Sequence, residues 1–136
     1  MMRSELIEKA VALGAKLQHV FVGTTNAEGL PHLAAAEGIS VASEGRVAVD
    51  AWFCPGTVKN LETNRKISLV VYDAVGDKGY QLLGEVEEIK ELAFADGNAP
   101  EDEGSDMVPN VERQLLVSVD KVVRFSHAPH SDVEES

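Results

Sequence analysis

From Ser4 to Leu17 the apolar residues Leu6, Ala10, Leu13 and Leu17 recur at helical spacing, and Ser4 is placed to cap the first turn. The pattern predicts an opening amphipathic helix whose apolar stripe covers one open end of a sheet. His19-Val20-Phe21-Val22-Gly23-Thr24-Thr25 is then short, β-branched and apolar. It runs into Asn26-Ala27-Glu28-Gly29, whose Asn and Gly suit a tight reversal, so a hairpin to a returning segment over Leu30 to Ser40 is expected. A second reversal at Ser43-Glu44-Gly45 leads into Arg46 to Phe53, where Val47, Val49, Ala51 and Phe53 alternate onto one face. Pro55-Gly56 breaks this strand, and Thr57 to Asn64 can form a short helix.

Lys66 to Tyr72 reads as another strand, Ala74 to Gly79 as a loop and Tyr80 to Lys90 as a longer strand. Between Ala95 and Asn110 the composition shifts to Gly, Pro, Asp, Glu and Ser, which predicts an exposed acidic loop. Its spacing does not match a calcium loop, because Pro100 stands where an oxygen donor is needed. Arg113 to Phe125 alternates Leu115, Val117 and Val119 before Val122, Val123 and Phe125, and completes the sheet. The expected fold is mainly β: a small antiparallel split barrel of five or six strands, with an N-terminal helix and one short helix after a central strand. One domain is expected over residues 1–126, followed by a tail over 127–136.

Composition narrows the function. The 136 residues suffice for one core, and the 44% hydrophobic fraction is ordinary for a globular domain with no membrane span. Glu8, Lys9 and Lys16 interrupt the apolar positions of the first segment, which is not a secretory pattern. The single cysteine, Cys54, excludes an internal disulfide and agrees with a cytoplasmic location. No base is visible near it to make it a nucleophile, so it reads as a packing residue. A net charge of −11 argues against nucleic acid and anionic membranes as partners, since neither meets a cationic surface.

The strand-turn-helix around Cys54 to Asn60 is the most suggestive chemistry. Unpaired backbone N–H groups and the helix dipole gather at such a point and attract phosphate. Thr57 can add its hydroxyl or serve as an ordinary cap, Gly56 lets a ligand approach the backbone, and Lys59 either supplies charge or is a solvated surface residue. The triplet Ala34-Ala35-Ala36 is unusual in a strand; it leaves room for something bulky or marks a close approach of two barrel walls. In the tail, His127, His130 and Asp132 form a possible metal set, but Pro129 and the terminal position favour a flexible segment, and no metal is expected.

Three segments in this order carry a family resemblance. Val22-Gly23-Thr24-Thr25-Asn26-Ala27-Glu28-Gly29-Leu30-Pro31-His32-Leu33-Ala34, then Thr57 to Val70, then Gly79-Tyr80-Gln81-Leu82-Leu83-Gly84-Glu85-Val86 resemble the corresponding pieces of the FMN-binding split barrels related to pyridoxamine 5'-phosphate oxidase. The resemblance implies a homodimer with FMN in a groove between subunits, and oxidoreductase chemistry on an unknown small-molecule substrate. It implies that Ala34, Ala35 and Ala36 line the ring and ribityl chain through the backbone. Asp50, Ala51 and Trp52 would flank the flavin, and Thr57 and Lys59 would face the phosphate. Trp52 would stack on the ring, or else serve a dimer interface or the core. One departure stands out: where the family commonly shows one or two basic residues before the helix, this chain has Gly56 and Thr57. Lys59, the helix amides, Arg46 or Arg65 are the available compensation. The alternative is a split-barrel dimer that binds no flavin, or binds haem or a deazaflavin.

Overall fold

The computed structural model describes residues 3–52, 55–94, 111–127 and 134–135. The predicted acidic loop at 95–110 and most of the predicted tail lie outside them. Helix α1 (Arg3–Leu17) buries Leu6, Ile7, Ala10 and Gly14. Leu13 packs at the margin of the core, so the buried stripe is rotated slightly from the one the leucines predict. The reason is Gly14, where an ideal Cβ would stand 2.6 Å from Ile39 Cγ2 and 3.2 Å from Val71 Cγ1. Without a side chain there, the helix settles directly onto the sheet. It stops at Gln18, whose left-handed backbone (φ 65°) returns its N–H to the Gly14 carbonyl at 2.7 Å.

The strands are β1 (Val20–Thr25), β2 (Pro31–Ala36), β3 (Gly38–Ser43), β4 (Arg46–Trp52), β5 (Lys66–Asp73), β6 (Lys78–Phe94), β7 (Val111–Arg124) and β8 (Glu134–Glu135), with helix α2 (Pro55–Thr63) between β4 and β5. They form one antiparallel sheet in the order β2-β1-β5-β6-β7-β4-β3, with β8 added on β7. The two edges, β2 and β3, are consecutive in the chain. The predicted returning segment Leu30 to Ser40 is therefore two strands, because its first half pairs with β1 and its second half with β4. The chain bends between them at Glu37, whose N–H donates to the Asp50 carbonyl at 3.1 Å. This bend joins the two edges and closes the sheet into a split barrel. The sequence reading of a mainly β barrel with one opening and one short helix holds.

Inside are Val20, Val22, Val47, Val49, Leu69, Val71, Leu82, Leu115, Val117 and Val122, all 2% exposed or less. The predicted alternation of Leu115, Val117 and Val119 is seen, and the jump to Val122 has a visible cause. Gly84 pairs with Val119 but Leu83 with Lys121, so Asp120 is an extra residue and the inward phase moves by one. At this bulge an ideal Cβ on Gly84 would run into the Ser118 carbonyl oxygen. Helix α2 starts two residues earlier than predicted, since Pro55, which reads as a strand breaker, is also preorganised for a first helical position. No helix among the described residues is long and apolar enough to cross a membrane.

Gly84→Ala should lower stability by roughly 2–3 kcal/mol in urea unfolding, because backbone must move to admit the methyl. Gly38→Ala, where nothing lies within 4 Å of an added Cβ, should stay within about 0.5 kcal/mol of the parent. Equal effects at the two positions would contradict the close approach at the bulge.

Candidate functional site

Helix α2 packs on β1 and β2. Leu61 and Thr57 are each 1% exposed and turn into the protein. Two contacts on one helix face fix its placement. Asn60 Nδ2 donates to Thr24 Oγ1 at 3.0 Å, and one turn earlier Gly56 lies against His32, whose Nε2 is 3.2 Å from the position of an ideal Cβ. Thr24 and His32 are directly opposite each other in the β1–β2 ladder. The helix thus lies across a single cross-strand pair, and a glycine at 56 is what lets the imidazole approach.

The alanine triplet is divided between two faces. Ala34 and Ala36 oppose Val22 and Val20, which are core residues, so both face inward. Ala35 opposes Phe21 and faces outward. Because β2 is an edge of the sheet, alternate backbone groups along it have no strand partner among the described residues. Backbone contact with a ligand is therefore open to this segment, while side-chain contact is open chiefly to Ala35. Asp50 lies at the bend beside the triplet's end. Its carbonyl takes the Glu37 N–H, and its Oδ1 accepts from Gln114 Nε2 at 3.0 Å. Ala51 and Trp52 follow in β4, opposite Arg113 and Glu112; their side chains, with Phe53 and Cys54, lie outside the described residues.

Thr57 occupies the third position of α2, and its buried hydroxyl has no hydrogen-bond partner among the described residues. Lys59 is exposed on the same helix. The two other cations named from sequence are engaged elsewhere. Arg46 Nε donates to Glu87 Oε1 at 2.8 Å, and Arg65 Nη1 reaches the Val86 carbonyl at 3.4 Å. The phosphate end thus consists of first-turn amides that the helix itself leaves without a partner, an orphaned hydroxyl, a glycine and one exposed lysine. That donor set fits a phosphate monoester, and an unpaired buried hydroxyl is the kind of group such a ligand satisfies.

Across the β1–β2 hairpin from α2, on the outer face of β1, β2, β5 and β6, is a groove of about 460 Å³ bordered by Gly23, His32, Leu33, Lys66, Ser68 and Leu83. Gly23 keeps its floor low, and Ser68 Oγ is bonded to Gln81 Oε1 at 2.6 Å. Leu33 stands at its margin, 65% exposed, and Leu30, just before β2, is 64% exposed. Sequence reasoning did not single out this groove. Its signal was Gly23 inside a β-branched strand, facing a leucine on the partner strand.

The tail histidine has a structural partner. Asp77 Oδ1 accepts both the His127 N–H and the Tyr72 hydroxyl, each at 2.8 Å. Tyr72 also meets Phe125 edge to face, with ring centroids 5.3 Å apart. The His127 N–H, then the Tyr72 hydroxyl, hold the Asp77 carboxyl below its ordinary range; bonding to Asp77 raises the Tyr72 phenol. No metal-binding group of three His, Cys, Asp or Glu residues occurs among the described residues, and His130 and Asp132 lie outside them. The folded carboxyl of Asp77 titrates below the unfolded one, so its stabilisation is present above the unfolded value of about 4 and disappears as pH falls through the folded value. Asp77→Ala should consequently lower the Tm at pH 7, and the difference from the parent should shrink below about pH 4. A difference independent of pH would contradict the carboxylate's role.

Thr57→Val replaces the orphaned hydroxyl by a methyl of like size. In ligand-free protein it should be neutral or stabilising by up to about 1 kcal/mol, measured by denaturant unfolding. A loss above 1 kcal/mol would show that the hydroxyl already has a partner within the chain.

No protein-family model matches the chain, and no curated protein matches it in sequence. Solved structures do share its fold. Group A Streptococcus HupZ superposes with a TM-score of 0.67 at 17% identity, covering 95% of this chain and 98% of that one. An FMN-binding protein from Syntrophomonas wolfei gives 0.63 at 16%, covering 91% and 88%. A protein related to general stress protein 26, of the pyridoxinephosphate oxidase family, from Clostridium acetobutylicum gives 0.61 at 18%, covering 93% and 92%. The fold is thus that of the pyridoxamine 5'-phosphate oxidase-related split barrels.

Proposed function

We propose that this chain is an FMN-binding flavoprotein, an oxidoreductase acting on a small molecule still to be identified, that works as a cytoplasmic homodimer. The observation that carries the reading is the buried Thr57 hydroxyl, without a partner among the described residues, in the first turn of a helix docked on the same hairpin whose outer face borders an open groove. A ligand with a phosphate at one end and a flat apolar body satisfies both features. The FMN-binding description of the Syntrophomonas wolfei protein supports the same choice at the level of fold.

In this reading the α2 amides, Thr57 and Lys59 hold the phosphate, and the backbone of Ala34, Ala35 and Ala36 runs along the ligand. Asp50, oriented by Gln114, flanks it with Ala51 and Trp52. Bound FMN supplies the electron or hydride transfer of its ring; the protein binds it, orients it and sets its surroundings. A second copy, seated on the exposed Leu30 and Leu33, closes the groove and removes these leucines from water.

Purified protein should be yellow or take up added FMN, with a visible spectrum that dithionite bleaches. Protein that stays colourless and does not bind added FMN would contradict the reading and favour the flavin-free or alternative-cofactor dimer. Lys59→Ala should weaken FMN binding by about 1.5 kcal/mol, roughly tenfold, while riboflavin binding changes little. Equal loss for both ligands would remove Lys59 from the phosphate site. Light scattering should give a dimer.

A further inference from the structure

We infer that His32 is a phosphate-binding residue: its imidazole supplies, across the β1–β2 hairpin, the side-chain donor that position 56 of α2 lacks. The inference rests on the phosphate reading above and adds a residue to it from a different element of the fold.

Four observations converge. The place where a side chain at 56 would begin is 3.2 Å from His32 Nε2 and 3.4 Å from Cε1, so the imidazole edge, nitrogen foremost, stands where such a side chain would. The ring is exposed and has no hydrogen-bond partner among the described residues. His19, by contrast, is committed to the Leu17 carbonyl at 3.1 Å and to the ring of Phe21. His32 is also held in register: its cross-strand neighbour Thr24 accepts from Asn60, on the helix face that carries Gly56. Finally, His32 lies on the edge strand β2: its side chain, opposite the buried Thr24, is on the α2 side, and the residue also borders the outer groove, so a ligand reaching from the helix start to the groove rounds the strand edge at His32.

The chemistry suits an anionic oxygen. An imidazole donates one N–H when neutral and two when charged, and unlike a lysine it does so from a ring with few rotamers. With the first-turn amides and the orphaned Thr57 hydroxyl, it makes a donor set contributed by two elements. The ligand class is a phosphate monoester, and the residue confers preference for the phosphorylated over the unphosphorylated form. Gly56 is then a requirement of the site: it leaves the space that the imidazole occupies.

Binding of FMN and of riboflavin to the full chain, followed by flavin fluorescence, tests this. His32→Leu should weaken FMN binding roughly tenfold while riboflavin stays within about twofold, and His32→Gln, which keeps a donor, should recover part of the loss. The double variant His32→Ala with Gly56→Arg should regain affinity for FMN over His32→Ala alone, since the arginine enters the vacated space. Equal weakening of both flavins, or no rescue by arginine, would make His32 a packing residue and overturn the inference. Parent protein that prefers FMN to riboflavin, with the preference intact in His32→Leu, would reject His32 and leave the phosphate reading standing. Parent protein that binds neither FMN nor inorganic phosphate would overturn both.

Discussion

The bend at Glu37 is the constraint on which the rest of this molecule depends. An antiparallel sheet of this size has two edges that must be paired, covered or joined. Here the chain joins them itself, leaving β2 at Ala36 and entering β3 at Gly38, with the Glu37 N–H on the Asp50 carbonyl. The join curls the sheet around the valine and leucine core and gives α1 an opening to cover. It also leaves β2 unpaired along one side, so α2 and the groove are both built against an edge.

From that edge the candidate site follows in physical steps. The hairpin sets Thr24 opposite His32, the pair receives Asn60 and Gly56 of α2, and the docked helix holds Thr57 in the interior with an unsatisfied hydroxyl. Burying a hydroxyl without a partner costs about 1–3 kcal/mol. A fold that tolerates this cost beside a groove has the character of a binding site, where local destabilisation is offset when a ligand arrives.

Much of this architecture was legible in the residues. Alternation in Val47, Val49 and in Leu115, Val117, Val119 marked inward faces, and Ser4 to Leu17 marked the covering helix. What could not be read was set by pairing across distant strands. Nothing local in Leu30 to Ser40 says that its halves serve opposite edges, and nothing in Gly84 says that Ser118 approaches it. The alanine triplet was recognisable as unusual, but only the β1–β2 register shows Ala34 and Ala36 facing in and Ala35 out. Gly56 looked like a missing piece of a phosphate site; in three dimensions it is the space for His32.

The central claim is that phosphate is recognised at the first turn of α2 while the rest of the ligand passes the β2 edge into the outer groove. Backbone amide shifts recorded during titration with FMN and with riboflavin address it most directly. Both ligands should move the Gly23 and Ser68 amides, and only FMN should strongly move those of Gly56, Thr57 and Val58. Shifts at the helix that are the same for both flavins, or absent with FMN, would contradict it.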